Sequence, residues 1–371
     1  MKFKKINARN LISNLVSISL LLVVCFAIHK NGQSTRDFTW STILSKILIF
    51  SIGALALNIV CGCLGEFALG HGGFLLIGYT VAVIVANFTK GFFDDATYKE
   101  LVYTVRGSEL HPLGYLLITS DVLVAALVTA VFGFIVGLIS LGRLKGDYLA
   151  IVTLGVSLIF VNVAKNINVL GGAQGIGTAS SLSGNPLIYA IFLVFTVFLI
   201  LMFMKSRFGR GILAIRDDNI AAEASGVPVN KYKVMAFTFS AFIAGLAGGL
   251  YAHYNSFVPT VFGQDLSIEL LIIVVLGGLG SLTGSIVSAA VIVIYNLWFC
   301  TRPWVPTFFS NNPKIIYGVI LIAIMLFRSN GILGNAEFTW DWFYSSLKKV
   351  WNSIKNFFKK LFGKKASKED K

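Results

Sequence analysis

The sequence predicts an all-α polytopic membrane protein, a helical bundle of about ten spans with glycine-rich broken or re-entrant segments. Three observations carry that expectation. Of 371 residues, 56% are hydrophobic and 13% charged, with a mean hydropathy of +0.79. A soluble domain carries about 25% charged residues, so this chain holds more apolar surface than one compact core could hide from water. Its apolar runs also recur at the length of about 20 residues that a helix needs to cross hydrocarbon, leaving short connections and no room for a large soluble domain. Finally, the net charge of +14, from 31 Lys+Arg against 17 Asp+Glu, gathers in alternate connections, as the positive-inside rule requires. Runs this long exclude an outer-membrane barrel, whose strands span about ten residues. The composition excludes a disordered or collagen-like chain. The basic excess is an orientation signal, and no nucleic-acid partner is expected.

At the N-terminus, Lys2 to Arg9 precedes an apolar run from Leu11 to Ile28. No small-residue cleavage site follows it, and Val23-Val24-Cys25 lacks the small residues a lipoprotein signal sets before its cysteine. The run therefore reads as an uncleaved first span with its basic end inside. Further spans are expected near 41–61, 64–87, 121–141, 147–166, 187–204, 234–253, 267–282, 284–299 and 314–328. This order places Arg143 and Lys145, then Lys205, Arg207, Arg210, Arg216, Lys231 and Lys233, and finally Arg328 and the tail, on the cytoplasmic side. The connections 30–40, 88–112, 167–186, 254–266 and 300–313 face outward and hold fewer basic residues and several acids. Three units follow: an N-terminal span with its external linker (1–40), a membrane core with a cytoplasmic loop at 205–233 (41–330), and a basic amphipathic tail (331–371).

Two pairs of spans are joined by glycine-rich turns, Gly62-Cys-Leu-Gly-Glu-Phe-Ala-Leu-Gly-His-Gly-Gly73 and Gly277-Gly-Leu-Gly-Ser-Leu-Thr-Gly284. Irregular backbone at membrane depth is tolerated where protein buries it or where it lines a water-filled cavity. Glu66, Gly70, His71, Gly72, Gly277, Gly278 and Gly280 are accordingly candidates for a translocation pathway. The alternative, close helix packing through small residues, stays open. The two turns are too slightly alike to establish an internal duplication.

No reaction centre is visible: the chain lacks G-x-x-x-x-G-K-[ST], H-E-x-x-H and G-x-S-x-G. The four Cys and four His are scattered apart from Cys61 and Cys63, which read as packing thiols with no metal site. Of the transporters, channels and intramembrane enzymes among which polytopic membrane proteins divide, an enzyme is not expected, and neither is a catalytic residue, a metal or a directly bound cofactor. Among polar residues in or near spans, Lys46 reads as a snorkelling side chain. Asp147, and Asp265 or Ser267, read as helix caps. Glu66, His71, Asn162 and Glu269 are the functional candidates, although Glu66 and His71 on a solvated cytoplasmic hairpin would be equally well explained.

The hydrophilic stretch Lys205 to Lys233 is the most informative. Asp217 or Asp218 can cap a helix, Ala221, Ala222 and Ala224 favour it, and Gly226 followed by Pro228 ends it. A helix of about two turns is too short to stand alone; it reads either as a knob that docks into a partner or as a solvated loop.

These residues resemble the LivM-type permease subunits of branched-chain amino acid ABC importers over roughly 50–330. The resemblance lies in Gly65-Glu-Phe-Ala-Leu-Gly-His-Gly-Gly-Phe74 with Gly78, Gly146-Asp-Tyr-Leu-Ala-Ile-Val-Thr-Leu-Gly155, Gly171-Gly-Ala-Gln-Gly-Ile176, Gly209-Arg-Gly-Ile-Leu-Ala-Ile-Arg-Asp-Asp218 with Ala221-Ala-Glu-Ala-Ser-Gly226, and Val275-Leu-Gly-Gly-Leu-Gly-Ser-Leu-Thr-Gly284. It implies a bacterial cytoplasmic (inner) membrane permease with both termini cytoplasmic, paired with a second similar permease, two cytoplasmic ATPases that use the ATP, and an extracytoplasmic binding protein. It also implies that Arg216, Asp217, Asp218, Ala221, Ala222, Glu223 and Gly226 form the helix that couples to the ATPase. The family pattern has Gln and Ser where Glu66 and Ala68 stand, and Ala-Tyr where Tyr79-Thr80 stand. Related permeases carry urea, short amides or nucleosides, and a self-sufficient secondary transporter or channel is the competing reading.

The tail lies outside the resemblance. Leu347, Val350, Trp351, Ile354, Phe357, Phe358, Leu361 and Phe362 recur at helical spacing, with Lys348, Lys349, Lys355, Lys359, Lys360 and Lys364 mostly on other faces. That is the pattern of a helix lying in a membrane interface, with Trp340 and Trp342 at headgroup level. A helix packed on the ATPase by the same stripe is the alternative.

Overall fold

A computed structural model describes residues 35–91, 112–141, 147–167, 185–254 and 262–300, with isolated positions at 172, 182, 318, 319, 322 and 326. The expected first span, the basic residues Arg143 and Lys145, nearly all of the 314–328 span and the amphipathic tail lie outside the described residues.

Every described element is helical. α1 (Thr35–Asn58) runs into a π-helical turn, Ile59–Leu64, which ends at Gly65 in the left-handed region (φ 81°). α2 (His71–Lys90) follows a six-residue irregular stretch, and α3 (Pro112–Leu141) and α4 (Asp147–Asn166) come next. α5 (Pro186–Lys205) starts with Pro at its first turn, where the missing N–H costs nothing. Two short helices, α6 (Arg207–Asp217) and α7 (Asn219–Ala224), make up the loop between α5 and α8 (Val229–Ala252). α9 (Gln264–Gly277) and α10 (Leu282–Ile294) form a tight hairpin, and α10 continues as a π-helical segment, Tyr295–Phe299.

Seven of these helical stretches are long and apolar enough to cross a membrane: Trp40–Leu64, His71–Lys90, Leu113–Leu141, Tyr148–Asn166, Pro186–Lys205, Val229–Ala252 and Leu282–Phe299. The expectation of about ten is matched only roughly: the first span and nearly all of the 314–328 span lie outside the described residues, and one run falls short. The run expected to span at 267–282 is a 14-residue helix, about 21 Å long at 1.5 Å per residue, whereas hydrocarbon is about 30 Å thick. Gly278, at φ 111°, breaks it. The span expected from 121 begins at Pro112, so Asp121 lies inside α3 and is 2% exposed.

α1 is central. Every residue from 47 to 64 is buried, and the helix packs against α10, α8 and α5. α8 is the second axis, packed against α3 and α2. Close approach there depends on missing side chains, since a Cβ on Gly248 would overlap the backbone of Leu75. α3 and α4 instead expose Leu116, Leu127, Ile139, Tyr148 and Ile151, the outward apolar face a bundle offers to lipid.

Candidate functional site

Three parts of the chain meet at one end of α1: the turn after its π-helical segment, the α9–α10 turn, and the loop of α6 and α7. Asn58 is the node. Its side chain, 0% exposed, donates to Ser281 O at 3.0 Å and to Ser285 Oγ at 3.1 Å, while its Oδ1 accepts from Gly280 N at 2.8 Å. The two glycine-rich turns therefore touch each other. A Cβ on Gly62 would overlap both Asn58 Oδ1 and Gly280 N, so the contact exists because that residue is glycine. Replacing Asn58 with Leu leaves the buried Gly280 N–H without its acceptor at about 1–3 kcal/mol, while Ser281 O and Ser285 Oγ keep their bond to each other; we expect destabilisation of about 2 kcal/mol, measured by denaturant titration of the purified protein.

Arg216, at the end of α6, ties the loop to this node. Its Nη1 donates to Gly62 O at 3.2 Å, and its Nε and Nη2 donate to Asp217 Oδ1 at 3.3 and 3.1 Å. The side chain lies across Gly65, where a Cβ would come within 2.8 Å of Arg216 Cγ. Asp218, and not Asp217, caps α7: its Oδ1 accepts from Ile220 N and Ala221 N at 2.9 and 3.0 Å. The loop then ends at Gly226, φ 83°, the left-handed terminus that glycine takes without cost. Ala221, Glu223 and Gly226 are exposed, whereas Ala222 is buried at 5% and faces its own chain. Ile220 protrudes, 82% exposed. Sequence reasoning passed over that side chain, though a lone Ile among polar residues on so short a helix was the available signal.

Glu66 and His71 are not solvated hairpin residues. Glu66 accepts from the Lys233 ammonium in a close ion pair, with side-chain exposures of 14% for the acid and 5% for the base. Lys233, expected on the cytoplasmic loop, sits in the first turns of α8 and turns inward. His71 is 1% exposed, with Nε2 at 2.7 Å from Ser240 Oγ and its ring edge-on to Phe74 and Phe237. Ser240 in turn donates to Ala56 O at 2.6 Å, joining α2, α8 and α1.

The remaining glycines are buried packing points. Gly70 faces the Thr153 backbone, Gly72 faces Ser267 and Gly263, and Gly277 and Gly284 face each other. Ser267 caps nothing: its Oγ accepts from Gly72 N at 3.0 Å, and the N-cap of α9 is Gly263. Asp265 falls in the first turn of α9. Asn162 is exposed, its carbonyl taking a bond from Asn166 Nδ2 at 2.7 Å. Among positions that depart from the family pattern, Ala68 and Tyr79 are each 0% exposed. No group of three or more metal-binding side chains occurs among the described residues.

The chain matches the model of the branched-chain amino acid transport system / permease component over residues 39–326. It is 31% identical over 327 residues to the high-affinity branched-chain amino acid transport system permease protein LivM of Salmonella typhimurium, covering 78% of this chain and 69% of that one. The LivM of Escherichia coli is 30% identical over the same length and shares. A probable branched-chain amino acid transport permease protein LivM of Methanocaldococcus jannaschii is 25% identical over 313 residues, 78% of this chain and 84% of that one. No solved structure matches the chain. A family match across most of the length, on a helical membrane bundle with a capped two-turn loop, places this chain in the branched-chain amino acid transport permease family.

Proposed function

We propose that the chain is the membrane-spanning subunit of an ATP-driven importer in the bacterial cytoplasmic membrane, with the loop of α6 and α7 and both termini on the cytoplasmic side. It forms the pathway for a branched-chain amino acid together with a second, similar permease. Two cytoplasmic ATPases bind and hydrolyse the ATP, and an extracytoplasmic binding protein delivers the solute. One observation carries this reading: α7 presents Ile220 outward while Arg216, at its base, holds the Gly62 carbonyl.

The arrangement is a lever. Closure of the ATPases pushes on Ile220, Ala221 and Glu223, and Arg216 passes the displacement to the Gly62–Gly65 turn. Asn58 then carries it to Gly280 and the α9–α10 hairpin. In this reading Gly70, Gly72, Gly277, Gly278 and Gly280 serve the pathway as points where segments approach and slide. Glu66 and His71 hold α8 to the moving turn.

Ile220→Asp tests the docking face. Burying an isoleucine is worth about 1.5–3 kcal/mol, so ATPase co-purification weakens about tenfold or more, with membrane insertion unchanged because Ile220 touches no part of the core. Undiminished association, with undiminished ATP-driven uptake, refutes the coupling role. In proteoliposomes the chain alone accumulates no solute under a proton or sodium gradient; accumulation there establishes a secondary transporter instead.

A further inference from the structure

A groove of about 600 Å³ runs down the outside of the bundle between α3, the last turn of α5 and the first half of α8. On its α3 side, Ala130, Phe134 and Leu138 stand at four-residue spacing and so share one face, with Phe134 and Leu138 exposed. On the other side Phe203 of α5 stacks on Phe239 of α8, ring centres 4.2 Å apart. Thr238 also lines the groove, but its hydroxyl donates to Val234 O at 2.8 Å, within its own helix.

The other polar groups of the lining gather at one end. Asn230 and Lys231, both exposed, lie in the first turn of α8, and the lining continues from there to Phe242. Those twelve residues span about 18 Å at 1.5 Å each, against about 15 Å for one leaflet of hydrocarbon about 30 Å thick. α3 runs the opposite way along α8, with Gly137 facing Val234 and Phe237 and Gly133 facing Ala241. The groove therefore opens at the membrane surface beside the loop of α6 and α7 and ends near mid-depth. An apolar slot one leaflet deep under a cationic mouth matches the two-part chemistry of a phospholipid.

Charge around the mouth has one sign. Lys205, Arg207 and Arg210 follow Phe203 closely, Arg210 Nη1 donates to Lys205 O at 2.9 Å, and Phe208 and Gly211 lie against the Tyr232 ring, next to Lys231. No Asp or Glu occurs from 148 to 216 or from 224 to 264. Helix α8 also starts at Pro228 with no side-chain cap on its first N–H groups, which suit a phosphate oxygen.

We propose that this groove seats one acyl chain of an anionic phospholipid, whose phosphate meets Lys231 and the first turn of α8. The other apolar occupant to weigh is a span of a second permease. With the loop cytoplasmic, as proposed above, such a span brings basic residues of its own to this end and is repelled there, whereas an anionic headgroup is attracted.

The full-length chain, alone in neutral detergent and within the assembled importer, is titrated with phosphatidylglycerol and with phosphatidylcholine, and bound lipid is counted by native mass spectrometry. Wild type in both forms should hold one phosphatidylglycerol at least tenfold more tightly than phosphatidylcholine. Lys231→Glu exchanges an attraction for a repulsion and should weaken that lipid about tenfold or more. Met235→Trp, at a position lining the groove, fills the slot and should displace the lipid while circular dichroism stays that of wild type; if it fails to fold, Leu138→Trp on the exposed wall supplies the same measurement. Equal affinity for the two lipids overturns the proposal. So does a lipid lost in Lys231→Glu but kept in the tryptophan variant, because surface attraction alone then accounts for it. A lipid held by the isolated chain and excluded from the assembled importer gives the groove to the second permease and overturns the proposal as well.

Discussion

Lys233→Met will destabilise the protein by about 3–5 kcal/mol, because it strands the Glu66 carboxylate where water reaches it poorly. The acid is 14% exposed, the base 5%, and the pair joins the glycine turn to α8. Taking both charges out of water was already unfavourable, so the close pair is not expected to add much stability over an uncharged replacement. Its removal one partner at a time is what costs. Glu66→Gln/Lys233→Met should therefore recover most of the loss, which denaturant titrations of the single and double variants measure directly. A single variant as stable as wild type would mean that the pair is solvated and dispensable.

Gly62→Val should abolish ATP-driven uptake. The added Cβ meets Asn58 Oδ1 and the backbone nitrogen of Gly280, and a backbone atom cannot turn aside as a side chain can. The α9–α10 turn must back away, breaking the Gly280–Asn58 hydrogen bond and lifting the Gly62 carbonyl from Arg216. Overpacking and lost hydrogen bonds together cost about 3 kcal/mol or more. Gly155→Val is the control: nothing lies within 4 Å of a Cβ there, and uptake should persist. Uptake comparable to wild type in Gly62→Val would show that the two glycine turns need not touch for coupling.

What could be read from sequence divides along physical lines. Apolar runs locate α4, α5 and α10 with its π-helical continuation closely, and α1, α2 and α8 with starts displaced by a turn or two, because hydrocarbon demands length and composition that soluble helices do not. Asp218, the alanines and Gly226 reveal α7, since caps and stops are local chemistry. α6 was not legible: Gly209 and Gly211 argue against a helix, yet they are there because Met204 and the Tyr232 ring lie where their side chains would be. The start of α3 was obscured by Asp121, whose charge interrupts the apolar pattern though the helix carries it buried. The candidate site was visible only in pieces. Glu66, Gly62 and Gly280 stood out by type, but their partners lie 167, 154 and 222 residues away in sequence, and no local pattern announces a contact of that kind.

Two buried or half-buried asparagines border π-helical segments: Asn58, which accepts from Gly280 N, precedes Ile59–Leu64, and Asn296, which donates to Glu269, lies within Tyr295–Phe299. A π turn accommodates one residue more than the α turn it replaces. Rewinding it to α would swing everything beyond by about 100° and shift it about 1.5 Å along the axis, while each peptide group still finds a carbonyl to bond. Each segment is thus a ratchet tooth cut into an otherwise continuous rod. One click at the first would carry the Gly62 carbonyl off Arg216, and one at the second would swing the Asn296 amide away from Glu269.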